Sequence, residues 1–93
     1  MESSPNIKVL LAIIENVKIL AVKHNQYDMA KDVLKTITNV CSDMGIEIDP
    51  KKVQTLMSVI GIKNPIETLQ YFYNFYQYVV SLDYKKKKIN LLR

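Results

Sequence analysis

The chain has no tryptophan, one cysteine, one histidine and one arginine among its 93 residues, and only two glycines and three prolines. Each shortage excludes a class of protein. Cys41 alone cannot close an internal disulfide, so a disulfide-stapled secreted fold is excluded. Cys41 and His24 together cannot supply the ligands of a thiolate–imidazole zinc site. The isolated glycines Gly45 and Gly61 make no glycine-rich phosphate loop. The most apolar stretch, Ile7 to Val22, is interrupted by Lys8, Glu15, Asn16 and Lys18. It is too short and too charged to span a bilayer, and the N-terminal residues lack a signal peptide's basic start and cleavage site. A cytoplasmic, soluble protein is the expectation, and a membrane partner is not.

What is present reads as a folded chain: 48% hydrophobic against 24% charged residues is enough apolar surface for one core, and the length leaves no room for a second. The net charge of +4 is unevenly placed. Eight Lys against nine acids give −1 through Tyr84, while four Lys and Arg93 give +5 beyond it with no acid. The body is nearly neutral and the basic character belongs to residues 85–93, a basic C-terminal tail or helix extension.

The few glycines and prolines are punctuation. Ser4-Pro5, Asp49-Pro50 and Asn64-Pro65 each put a capping side chain before a proline, which fits the first helical position because no donor is needed there. Met44-Gly45-Ile46 and Ile60-Gly61-Ile62 follow apolar periodic runs. Glycine can take the left-handed conformation that ends a helix, and the next isoleucine can close the end. These signals predict helices over 5–24, 27–44, 50–60 and 65–84 or beyond. The first boundary has neither Gly nor Pro. It follows from phase: the apolar arc centred on Leu10, Ile14, Val17 and Ala21 would lie nearly opposite that of Ala30, Val33, Ile37, Val40 and Met44 in one continuous helix. A turn at His24–Gln26 lets both arcs face one core. Ile46-Glu47-Ile48 alternates like a strand but has no partner run, so it reads as an extended connector. The fold class expected is all-α, a compact four-helix bundle-like domain over residues 1–84, with a long aromatic last helix.

Met44–Asp49, followed by Val53 and Leu56, resembles a helix junction in archaeal and eukaryotic ribosomal stalk proteins. The Ala/Gly-rich hinge and acidic C-terminus of that family have no counterpart here, and the tail has the opposite charge. That assignment is therefore not adopted.

The apolar arcs differ in width. The second helix has an ordinary arc of roughly 160°. The last confines Glu67, Gln70, Asn74, Gln77 and Ser81 to a strip of roughly 80°, rimmed by Tyr73 and Tyr84 on one side and Tyr71 and Tyr78 on the other. The first helix has an apolar arc of roughly 220°, interrupted by Lys18. Helices apolar over so much of their surface need more than one neighbour. Tyr71, Phe75, Tyr78 and Leu82 repeat at helical spacing and form a candidate contact with another chain, since aromatic side chains with polar tips suit an interface. The alternative is that they are core.

No catalytic residue, cofactor or metal site is expected. Cys41 lies on the apolar arc of its helix, on the order of 20 Å along the axis from the turn that His24 opens, so the two make no nucleophile–base pair. Asp28 and Asp32 interleave with Lys31 and Lys35 as a solvated ion-pair face. Asp43, Glu47 and Asp49 do not match a calcium loop. The helix, turn and helix of Val53–Leu69 invite a DNA-reading motif, but the second helix opens with Ile66-Glu67 and continues aromatic, with no cation until Lys85, which suits no phosphate-lined groove. Lys85, Lys86, Lys87, Lys88 and Arg93 could instead meet a polyanion without reading sequence, although cations at a helix C-terminus also favour its dipole and aid solubility. The leading expectation is a non-enzymatic interaction or regulatory accessory protein that forms a homodimer. The alternative is a sequence-nonspecific nucleic-acid-binding dimer that uses the lysines.

Overall fold

The computed structural model of the chain describes residues 5–62 and 64–91, with side chains for 7–62 and 64–86. Four helices follow one another: α1 (Pro5–Lys23), α2 (Tyr27–Asp43), α3 (Pro50–Val59) and α4 (Pro65–Leu91). Among the described residues there is no strand. Ser4, the expected first cap, lies outside the described residues.

The helix ends explain themselves locally. The Asp49 carboxylate accepts from the Lys51 N–H at 3.0 Å, with Pro50 opening α3. The Asn64 side chain accepts from the Glu67 N–H at 2.9 Å, with Pro65 opening α4. Each satisfies a donor that has no partner inside its own helix. At the end of α2, Gly45 has φ +77°. The Ile46 N–H reaches the Cys41 carbonyl at 2.8 Å, and the Gly45 N–H reaches Ser42 at 3.0 Å. This is the paired closure of a left-handed cap, and Ile46 is buried as its apolar lid.

The end of α3 is built differently from the expectation. Ile60 (φ −63°, ψ 123°) and Gly61 (φ +85°) form a turn in which the Ile62 N–H donates to the Val59 carbonyl at 3.2 Å. These angles are those of a type II turn, which needs positive φ at its third residue. The buried residue is Ile60, whereas Ile62 is 79% exposed and closes nothing. Between α1 and α2 the left-handed position is filled by Asn25, at φ 53°. Asparagine tolerates that conformation better than other side-chain-bearing residues, so the helix ends there without glycine.

Ile7, Leu10, Ile14, Val17 and Ala21 of α1 are buried, and they meet Phe72, Phe75 and Val79 of α4 in one cluster. The packing order is α2 against α1, α1 against α4, and α4 against α3. The two widest apolar arcs thus belong to the two central helices, each of which has two neighbours. In α2 the buried line is Ala30, Leu34, Ile37 and Cys41, while Val40 is exposed and Val33 and Met44 are half-buried. The expected arc is therefore rotated by roughly 50°. A helix with one main neighbour buries only the part of its arc that faces that neighbour. The connector alternates as expected, with Ile46 and Ile48 buried and Glu47 exposed.

A Cβ added at Gly61 would come within 3.2 Å of the Tyr27 ring, whereas one at Gly45 would meet the movable end of Lys86 at the same distance. Both substitutions force a left-handed alanine, at about 1–2 kcal/mol. Gly61→Ala should therefore lower the melting temperature more than Gly45→Ala when both are followed by circular dichroism. Equal losses would show that the Tyr27 contact adds nothing.

Candidate interaction surface

The fourth helix carries two aromatic flanks on either side of its polar strip, and the structure treats them differently. The flank singled out from the sequence is Tyr71, Phe75, Tyr78 and Leu82. It faces inward, to α3 and the connector. Phe75 is 5% exposed, and Tyr71, Tyr78 and Leu82 are half-buried against the core. The Tyr78 hydroxyl accepts from the Asp49 N–H at 2.8 Å, which ties α4 to the start of α3. The Lys52 ammonium lies 5.2 Å from the centre of the Tyr78 ring, within the range of a cation–π contact. The Phe75 and Tyr78 rings lie 6.5 Å apart at 48°. Between α3 and α4 an open cleft of about 370 Å³ is walled by Leu56, Tyr71, Phe75 and Tyr78, with Lys51 and Lys52 on its rim. This flank is thus partly covered within the chain, with the cleft left open beside it. Both flanks have the same periodicity, and the return path of α3 decides which one it partly covers.

The other flank is open. Ile66 is 80% exposed, Tyr73 58% and Tyr84 69%, and Leu69 and Val80 are also exposed. Tyr76 is half-buried between this flank and the core. Positions 66, 69, 73, 76, 80 and 84 advance by three and four residues in alternation until the last step, which keeps them on one helical line. From Thr68 to Leu82 there is no charged residue at all. Beside the line a shallow groove of about 180 Å³ separates α4 from α1, walled by Ile14, Phe72, Tyr73 and Tyr76. Its far edge is the ion pair of Lys18 with Glu15, at 2.5 Å. On α1 a second, smaller set of apolar residues is exposed: Val9, Ile13 and Ile19.

The lysines are not on a separate tail over the described residues, because α4 continues to Leu91. Lys85 is exposed. Lys86 donates to the Met44 carbonyl, at the C-terminal end of α2, where a cation satisfies a free acceptor and meets the negative end of the helix dipole. The side chains of Lys87 and Lys88, and all of Arg93, lie outside the described residues. Of the two lysines in the run 85–88 whose side chains are described, Lys86 is thus engaged within the fold.

Cys41 is fully buried, and desolvation pushes its thiol up to about 11. His24 is exposed at the other end of α2, beyond its first residue. Among the described residues no three Asp, Glu, His or Cys side chains gather to hold a metal ion, and no helix is long and apolar enough to cross a membrane. Comparison with protein-family models, curated proteins and solved structures finds no match to this chain.

The raised thiol gives a direct check of the packing. The thiolate is the reactive species and is scarce at any pH below that value. Cys41 should therefore resist a thiol reagent near pH 8 in the native protein and react rapidly once denaturant is added. Prompt reaction in the native state would contradict the burial of α2 against α1.

Proposed function

We propose that this chain is a non-enzymatic helical interaction module, a small intracellular accessory or regulatory protein, that self-associates through the open flank of α4. The observation that carries this reading is the uncharged surface of that helix. Solvated helix faces are normally rich in Lys and Glu, whereas interface centres are depleted of charge and enriched in tyrosine and other aromatic residues. The exposed face of α4 between Glu67 and Asp83 has the second composition. The Lys18–Glu15 ion pair borders it, as polar rims border interfaces.

The polyanion reading through Lys85–Lys88 and Arg93 has less support. One of the lysines is held by the α2 carbonyl terminus, and the helix that would carry the others has no further cation back to Pro65 and bears Asp83 just before them. Neutralising phosphates would make binding fall steeply with added salt, and a response of that form to residues 85–93 is what would favour it.

The contact surface is tested by replacing Tyr73 and Val80 together with glutamate. Both are exposed, so the far-ultraviolet circular dichroism should be unchanged. An assembly present at about 100 µM, a concentration matched to micromolar affinity, should give way to a monomer in size-exclusion chromatography with light scattering. A wild-type protein that is already monomeric at that concentration would refute self-association.

A further inference from the structure

We infer that the partner on the open flank of α4 is a second copy of the same helix running antiparallel about a two-fold axis. The inference rests on the self-association proposed above and adds its geometry.

Three features of the flank point to this occupant. The first is its symmetry along the chain. Reflection about the midpoint between residues 74 and 75 exchanges position 69 with 80 and 73 with 76. An antiparallel mate would therefore set Leu69 opposite Val80 and Tyr73 opposite Tyr76, with Ile66 and Tyr84 one position out of register at the ends. The four inner positions of the line thus meet one another, as a self-complementary two-fold interface requires. The second feature is the spacing. Steps of three and four residues produce the seam along which two helices interlock at a shallow crossing angle.

The third feature is charge. Lys85–Lys88 stand at one end of α4, and Glu67 stands in its first turn. A parallel mate would bring two lysine runs side by side. An antiparallel mate separates them by nearly the helix length, about 40 Å for 27 residues. That is several times the screening distance of about 8 Å at physiological salt. It also opposes the two helix dipoles. The uncharged run Thr68–Leu82 fills the middle, where the two chains overlap most closely. A seam with one helix from each chain lies at the small end of specific interfaces, below roughly 1,200 Å² in total, so micromolar association is expected.

Single-cysteine cross-linking in the full chain tests the geometry, with native Cys41 retained because it is buried. Leu69→Cys and Val80→Cys variants are oxidised separately and as an equimolar mixture, after circular dichroism confirms their helicity. The antiparallel arrangement predicts a mixed 69–80 disulfide dimer, and at least fivefold less cross-linking in either variant alone, because like positions lie roughly 15–18 Å apart along the axis. Strong 69–69 and 80–80 cross-links would overturn the geometry in favour of a parallel pair while leaving self-association intact. A dimer by light scattering without any of these cross-links would place the contact on another face and also overturn the inference. A monomer throughout would remove the self-association on which it rests.

Discussion

The packing of Phe72, Phe75 and Val79 against two helices at once is the contact on which the rest of this fold depends. Phe72 borders α1 and Phe75 borders α3, with Val79 buried in the same cluster, so α4 is the shared wall of the core. Because α2 packs mainly on α1, and α3 mainly on α4, the α1–α4 contact is the main join between two helix pairs that otherwise meet at their ends, through Lys86 with Met44 and Tyr27 with Gly61. Truncating a buried phenylalanine costs about 3–5 kcal/mol, a large share of the 5–15 kcal/mol that holds a whole domain.

That constraint creates the surface left over. A helix of 27 residues that serves two neighbours covers two sectors of its circumference. The polar strip of Gln70, Asn74, Gln77 and Ser81 covers a third, and Gln70 and Asn74 are joined by a 3.0 Å hydrogen bond. The sector between that strip and α1 has neither a neighbour nor a charge among the described residues from Ile66 to Tyr84. Its tyrosines have polar tips that tolerate water in a monomer and can be desolvated in a complex. The same helix thus supports the fold on one side and offers a partner surface on the other.

Much of the fold was legible in the sequence because its boundaries are encoded locally. Asp49, Asn64, Gly45 and the prolines act within a few residues of themselves, and the structure places helix ends at each of them. Asn25 carried a weaker signal of the same kind, since it is the residue of the first turn best suited to a left-handed conformation. The site was less legible. Periodicity showed that α4 has two aromatic flanks but could not show which one α3 would cover, because that depends on contacts such as Tyr78 with Asp49, twenty-nine positions apart. For the same reason the anchoring of Lys86 to Met44, forty-two positions away, left no trace in the local pattern.

The most direct measurement of the central claim is a dilution series of two-dimensional amide spectra, from about 500 µM to 10 µM, spanning micromolar affinity. The account predicts concentration-dependent shifts concentrated at Leu69, Tyr73, Val80 and Tyr84, with Tyr71, Phe75, Tyr78 and Leu82 nearly still. Shifts confined to the second group, or none at either, would contradict it.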